Sequence, residues 1–361
     1  MRLLLFSDIH LAAHEDFSYV LPNGDNNRLA DLLSILDRIP AVYEKYKTEM
    51  VLFGGDLFHH PRSINTQTYQ KAYEAMERMC SAVERVFIIA GNHDQALFQK
   101  QSATALYPLK RLPNTEVILT QHEAVFNDDT VLNMMPYVEN KERVLNCLKR
   151  VRKGSVLLSH CGLTEATVGP NEIKIEAPIG LQDLAPLELE MAAFGHYHKP
   201  QSFEGNAFII GAPAQHNMLD RGEKRGLLFY DTKTHEAKRI WMKGPKFHLY
   251  EVANVDDLKA LKEAAPELAG GYVRVLLRSK TVNKDEVTEL LETAGVKSHQ
   301  VRYAVQTEAS QRNIDLTTKL LGSGLDGSLA DYVAHVEVDG LDKDRLVQTG
   351  QQLLKEYELC S

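Results

Sequence analysis

Six short runs built almost wholly from Val, Ile, Leu, Phe and Ala recur in the first two thirds of this 361-residue chain, at 3–6, 51–53, 86–90, 156–158, 192–194 and 208–210. Runs this short, with no polar residue on alternate positions, suit strands covered on both faces. The segments between them carry apolar residues at three- and four-residue spacing. Over 27–46 these are Leu29, Leu32, Leu33, Leu36, Ile39, Val42 and Tyr43, one face of an amphipathic helix. Over 69–83, Tyr69, Ala72, Tyr73, Met76, Met79 and Val83 share a face that suits a core or a dimer interface better than a cofactor site. Buried strands alternating with such helices predict the α/β class. From Thr115 onward the pattern changes. Segments 117–119, 124–126 and 131–134 read as meandering strands with Asp128-Asp129 in a turn, so a second sheet packed on the first and flanked by helices is expected.

A boundary is expected at Trp241-Met242-Lys243-Gly244-Pro245. Residues 1–245 then form the main domain. Residues 246–312 form a small α/β module with strands at 247–252, 272–277 and 300–305, helices near 255–264 and 284–294, and ten charges of each sign. Residues 313–361 form a tail, with a turn at Gly322-Ser323-Gly324 and two helices near 329–335 and 341–357.

Hydrophobic residues make up 44% of the chain and charged residues 25%, as expected of a globular protein. No apolar run approaches the ~20 residues a membrane span needs, and the run 3–6 is too short for a signal peptide, so no membrane association and a cytoplasmic location are expected. Cys80, Cys147, Cys161 and Cys360 form no Cys-x-x-Cys pair, which argues against a zinc ribbon and for reduced thiols. Cys161 adjoins His160, but isolated cysteines usually act as small buried hydrophobes. The net charge of −8 does not describe a surface coated for nucleic acid, although carboxylates that hold metals count in that sum. The one basic stretch, Lys149-Arg150-Val151-Arg152-Lys153, fits a helix end whose cations face the C-terminal dipole.

Five of the strand-like runs end alike: in Ser7-Asp8-Ile9-His10, Gly54-Gly55-Asp56, Gly91-Asn92-His93-Asp94, Ser159-His160 and Gly195-His196-Tyr197-His198. In an open α/β sheet the ligand site lies beyond the carboxyl ends of the strands, so these side chains should meet. Any one fragment alone is better explained as a turn or a helix cap. Five together point to metals. Imidazole and carboxylate donors without a thiolate suit manganese, iron or zinc in a catalytic two-ion site, not a structural zinc.

The motifs Asp8-x-His10, Gly55-Asp56, Gly91-Asn92-His93-Asp94, His160 and Gly195-His196-x-His198 resemble those of the calcineurin-like metallophosphoesterases, in order and over residues 1 to about 215. The resemblance implies a two-sheet αββα sandwich with a smaller C-terminal α/β capping domain and a helical tail. Within the superfamily, Gly55-Asp56-Leu57-Phe58-His59 followed by the Asn92-His93-Asp94 run resembles the SbcD-type nucleases of DNA break repair. That resemblance implies one ion on Asp8, His10, Asp56 and His198, a second on Asp56, Asn92, His160 and His196, and Asp56 as the bridge. His93 would stay off the ions and assist the reaction. His59 lies where acid phosphatases carry a metal-binding tyrosine and should face metals and substrate, whereas His60 has no matched role. Asp94 is expected to orient His93 from behind, or else to cap a helix at 95–99. His216 is expected to line the cleft.

Protein Ser/Thr phosphatases carry an Asp-Arg-Gly soon after the bridging Asp, but the only such triplet here is Asp220-Arg221-Gly222. Ala12 departs from the nuclease pattern, where glycine often follows His10-Leu11. The expected activity is manganese-dependent exo- and endonucleolytic hydrolysis of DNA by an SbcCD-type nuclease subunit. The tail would dock an SMC-type (SbcC-like) ATPase, and helices near 69–83 and 101–112 would form a homodimer. The alternatives are a phosphodiesterase for a small molecule such as a cyclic nucleotide, and a non-catalytic scaffold on the same fold.

Overall fold

In the computed structural model of the protein, residues 1–60, 63–96, 103–169, 172–304 and 345–349 are described. All six apolar runs are strands, and the reason is visible in the period-two division of their side chains. In strand Arg2–Phe6, Leu3 and Leu5 enter one core with Leu52, Phe87 and Ile89, while Leu4 and Phe6 enter another with Val51 and Phe53. A strand that buries both faces has to lie between two layers.

The first sheet runs Glu236–Trp241, Gly226–Asp231, Arg2–Phe6, Met50–Phe53, Val86–Ile89, Thr115–Ile118. Its last four strands are mutually parallel, and the first two join antiparallel. The second sheet runs Gln201–Phe203, Ala207–Ile209, Met191–Phe194, Val156–Ser159, Val131–Met135, His122–Val125. It is parallel at its centre and antiparallel at both edges. Leu132, Met134, Val156, Leu158, Met191 and Ala193 of this sheet pack into the same core as Leu3 and Leu5, so the two sheets lie face to face.

Helices Asn27–Tyr46 and Thr66–Ser81 cover the outer face of the first sheet through Leu29, Leu32, Leu36, Ala72, Met76 and Met79. Helix Lys141–Leu148 covers the second through Val144 and Leu148. The layers are therefore helix, sheet, sheet, helix. Each long helix begins at an asparagine whose side chain accepts backbone N–H groups: Asn26 from Leu29, and Asn65 from Gln67 and Thr68.

Three differences from the sequence reading have physical causes. Strand Thr115–Ile118 does not open the second sheet. It completes the parallel edge of the first, with Val86↔Thr115 and Ile88↔Val117 paired. The hairpin Gly226–Asp231/Glu236–Trp241 was not anticipated, although Leu227, Leu228, Phe229 and Tyr230 are as apolar as the other runs. The helix expected at 101–112 is, over its described residues, a short strand Ala103–Thr104 and a 3-10 turn Tyr107–Arg111, where Pro108 removes a backbone donor.

Beyond Pro245, strands Phe247–Val252, Tyr272–Leu277 and Ser298–Tyr303 form a three-stranded sheet with helices Val255–Leu268 and Lys284–Thr293. Its own core contains Val252, Leu261, Val273, Val275, Val287 and Leu291. Residues Met1–Arg302 form one compact unit and Tyr303–Ser361 another. In the latter, 345–349 are helical, while Gly322-Ser323-Gly324 and the expected helix at 329–335 lie outside the described residues. Among the described residues no helix is long and apolar enough to cross a membrane.

Leu5 is fully buried between the sheets. Leu5→Ala should destabilise the protein by about 3 kcal/mol, read from the urea midpoint at unchanged m-value, because a cavity at the centre of two facing sheets cannot collapse easily.

Candidate dimetal centre

The five polar strand ends meet at one edge of the sandwich. Strand Arg2–Phe6 delivers Asp8 and His10, Met50–Phe53 delivers Asp56, and Val86–Ile89 delivers Asn92 and His93. From the second sheet, Val156–Ser159 delivers His160 and Met191–Phe194 delivers His196 and His198. The loops interlock through the backbone: Asp8 N–H donates to Gly55 O at 2.9 Å and His10 N–H to Asp56 O at 3.1 Å. Asp8, His10, Asp56 and His196 all have left-handed backbones, with φ of 57°, 51°, 58° and 79°. Conformations so unusual for residues with side chains, repeated at four candidate ligands, mark a place where tertiary contacts override local preference.

The side chains fall into two overlapping groups around Asp56. Its Oδ2 lies 3.6 Å from His10 Nε2 and 3.4 Å from His160 Nε2, so one carboxylate faces both. On the first side, His10 Nε2 and His198 Nε2 are 3.0 Å apart and the donor atoms of Asp8, His10 and His198 lie within 4.8 Å of one another. On the second, Asn92 Oδ1 lies 3.1 Å from His160 Nε2 and 3.0 Å from His196 Nδ1. Asp8 also lies within 4.8 Å of Asp56 and His160, so it is more central than expected.

These donors fit divalent cations. Asp8 Oδ2 is buried with no hydrogen-bond partner, and the facing nitrogens of His10 and His198 gather lone pairs that a cation would satisfy. His160 Nδ1 donates to Gly54 O at 2.5 Å, which leaves Nε2 as the donor atom toward the centre. Cys161, although adjacent, is no part of this group. Burial pushes its thiol up to about 12, and its sulfur accepts from Ser159.

The glycines matter through close approach as much as through turning. A Cβ on Gly91 would overlap Asp56 Oδ1, and one on Gly195 would stand 2.7 Å from His160 Nδ1. Neither has a positive φ; the space is already filled, beside Gly91 by Asp56 and beside Gly195 by Ser7, Gly54 O and His160.

Asp94 is not placed as expected. It neither reaches His93 nor begins a helix, since a 3-10 turn Asn92–Asp94 leads into strand Gln95–Ala96. Its fully buried carboxylate accepts from the backbone N–H of Asp56 at 2.8 Å, Leu57 at 2.9 Å and Gly91 at 3.0 Å, which binds the second and third loops together. His93 is held otherwise. Its Nδ1 lies 2.6 Å from the carbonyl of His59 and its backbone N–H donates to Asp56 Oδ1 at 2.8 Å. A carbonyl only accepts, so Nδ1 carries the proton and Nε2 is left for other work. The His59 ring stacks on that of His93 at 5.8 Å, and both stand beside His10. His60 is exposed and touches only the His59 ring among the described ring contacts.

The structure also gives His216 a place: it is buried, with Nε2 donating to Asp8 O at 2.9 Å. Two neighbours were not anticipated. The Tyr137 ring lies 5.9 Å from that of His196, and His14 packs at 4.9 Å from His59 while donating to His10 O. No motif marks Tyr137; it arrives because its N–H pairs with Ala90 O at the end of the neighbouring sheet.

Burial sets the protonation of these side chains. It pushes Asp8 up to about 7, and likewise Asp94, which sits beside Asp56. Burial also opposes ionisation of Asp56, but the nearby His160 outweighs it and holds Asp56 below the ordinary carboxyl range. Burial would depress His160 too, yet Asp56 raises it to about 9. Burial and neighbouring histidines push His10 well below its ordinary value and His196 and His59 down to about 4.

A family model described as calcineurin-like phosphoesterase matches residues 1–200, and the chain belongs to that family. It is a phosphoesterase of the hydrolase class by that membership. Among solved structures it is similar to a dimetal phosphatase from Danio rerio, at 9% identity over 63% of this chain and 91% of that one, with a TM-score of 0.38. It is also similar to the phosphoesterase Yfce from E. coli, at 12% identity over 67% of this chain and 100% of that one, with a TM-score of 0.30. No curated protein matches the chain.

Two outcomes are expected. Gly91→Ala should displace the Asp56 carboxylate that faces both groups, so the purified variant should lose both ions in a metal analysis while keeping its far-UV circular dichroism. The second concerns acid stability. Below pH 6.5, the ordinary histidine value, the unfolded chain takes up protons on His10, His14, His59, His196, His198 and His216 that the folded chain refuses. Asp8 and Asp94 act in the opposite sense, keeping protons in the folded chain up to about pH 7 that the unfolded chain releases near 3.8. His248, also lowered, joins the first set, and His160, raised to about 9, joins the second with the raised Glu190 and Glu223. The seven lowered histidines outweigh these five, so the chelator-treated protein should melt at a lower temperature at pH 5 than at pH 6.5 by calorimetry. A Tm that rises on acidification would contradict this assignment.

Proposed function

We propose that the chain hydrolyses phosphodiester bonds in DNA, as the nuclease subunit of an SbcCD-type complex. The observation that carries this reading is the pair His59 and His93. A histidine three residues after Asp56 stacks on a second one whose Nδ1 is tied to a main-chain carbonyl, and both stand next to His10. A phosphodiester leaves a sugar oxygen that needs a proton. When protonated, His93 holds one on Nε2, the nitrogen not engaged with His59 O.

The residues that would hold the ions are Asp8, His10, Asp56 and His198 on one side and Asp56, Asn92, His160 and His196 on the other. When bound, two such ions supply a hydroxide nucleophile and offset charge on the phosphoryl oxygens. The protein's own part is positional. Asp94 fixes the Asp56 loop through three consecutive N–H groups, Asp56, Leu57 and Phe58. His160 is aimed by Gly54 O, and His93 by His59 O. His59 stacks on His93 and limits the ring's freedom to turn away from the substrate side.

Manganese is the expected native ion by resemblance to the SbcD-type nucleases; the mixed imidazole, carboxylate and amide donors would equally take magnesium, iron or zinc. The module beyond Pro245 is read as the DNA-capping domain, and the tail from residue 313 as the docking segment for an SMC-type ATPase. That partner would bring the cationic surface that a chain of net charge −8 lacks. A homodimer in the cytoplasm completes the reading.

The test is cleavage of plasmid DNA with manganese, beside cyclic nucleotides as substrates. His93→Ala should retain its metal content and lose on the order of a hundredfold in rate. His59→Ala should lose far more activity than His60→Ala. Full activity in His93→Ala, or faster turnover of cyclic nucleotides than of DNA, would overturn the reading.

A further inference from the structure

Arg28 and His216 are buried, ionisable and outside both candidate ligand groups. Arg28 lies in the first turns of helix Asn27–Tyr46 and is only 3% exposed. Its guanidinium carbon lies 4.9 Å from the centre of the Phe247 ring and 4.8 Å from that of Tyr272, the first residues of two strands of the small module. A cation so deeply buried is held there by those aromatic faces and by hydrogen bonds to main-chain carbonyls. Nη1 donates to Asp16 O at 2.6 Å and Nη2 to His216 O at 2.7 Å.

His216 carries the contact onward. Its N–H donates to Asp220 Oδ2 at 2.6 Å, and Asp220 is paired with Arg225 at 2.7 Å. The Asp220-Arg221-Gly222 triplet, out of place for a phosphatase, thus has a structural use. The His216 ring donates through Nε2 to the carbonyl of Asp8, whose backbone is left-handed, and lies 5.4 Å from the His10 ring and 5.0 Å from the His198 ring. None of its contacts among the described residues is to Asn92, His160 or His196. His216 therefore touches all three residues that, with Asp56, make up the first ligand group, and its one link to the second runs through Asp8, whose Oδ1 accepts from the His196 N–H at 3.1 Å.

We propose that His216 is a positioning residue for the Asp8–His10–His198 ion alone, and that Arg28 makes this bracing depend on how Phe247 and Tyr272 of the small module are seated. A change in the module's seating would then alter the affinity of one ion and spare the other. The centre becomes unequal: one ion is held by the sandwich itself, while the other is held subject to the C-terminal module. The inference rests on the two-ion reading of the centre but not on DNA as substrate.

The test is manganese binding to the full-length, chelator-treated protein, by isothermal titration and by the electron paramagnetic resonance signal of a spin-coupled manganese pair. Arg28→Met and Tyr272→Leu should each weaken one of two binding steps by about fivefold or more while the other step stays put. The coupled-pair signal should then require more manganese to appear. His216→Phe should do the same, and His216→Gln, which can still donate to Asp8 O, should restore binding. Lys262→Ala removes an exposed ion pair to Glu286 within the module, away from Arg28, Phe247 and Tyr272, and should leave both steps unchanged. Equal weakening of both ions, no weakening in folded Tyr272→Leu, or the same asymmetry in Lys262→Ala would overturn the proposal. If Arg28→Met fails to fold, Tyr272→Leu decides from the other side of the contact. A wild type that binds no manganese would instead sink the two-ion reading.

Discussion

One carboxylate organises the centre. Asp56 faces His10 from one sheet and His160 from the other, and it also accepts the N–H of His93. That position exists only because two mostly parallel sheets stack with the same ends of their strands on the same side. A like arrangement of acids and histidines on a single sheet would spread along its edge. Here the second sheet folds the row back on itself, so residues 56 and 160 become neighbours.

Holding that carboxylate in place requires unusual local structure. Four candidate ligands adopt left-handed backbones, each of which costs on the order of 1 kcal/mol or more for a residue with a side chain. The opposing interactions are the crossed loop hydrogen bonds and the buried Asp94 carboxylate, which accepts from the second and third loops at once. Asp94 is thus a fastener for the loops. Its low solvation is tolerated because its oxygens meet several N–H donors.

The small C-terminal module has its own core, and it is fastened to the sandwich by a small buried cluster of Phe17, Phe247 and Tyr272 together with polar and cation–π contacts. Asn27 and Asp31 meet the Tyr272 hydroxyl, Arg274 meets Asp16, and Phe247 N–H meets Gln215. Such contacts are directional and sensitive to small displacements, unlike a broad apolar seam. They reach the centre through a loop, 215–225, that no family motif distinguishes.

Much of the fold was legible because its signals are local. Strands buried on both faces need unbroken apolar runs, helices need a 3.6-residue stripe, and both are written in consecutive residues; helix Asn27–Tyr46 and strands Phe247–Val252 and Tyr272–Leu277 have the expected bounds. The candidate ligands were legible too, because each directly follows a strand and parallel strands place their ends together. What required the tertiary structure were relations between distant residues. Thr115–Ile118 joined the first sheet because an edge was open beside Val86–Ile89, which no local pattern reports. Asp94 turned toward backbone donors instead of His93 because those donors were buried and otherwise unpaired, a need set by the packing of three loops. His216, Tyr137 and Arg28 took their places through partners 208, 47 and 188 residues away in the chain, respectively Asp8, Ala90 and His216. By itself the sequence determined which side chains could carry the chemistry; only the stacking of two sheets decided which of them share a charge, because burial and distance, not identity, set electrostatic interaction.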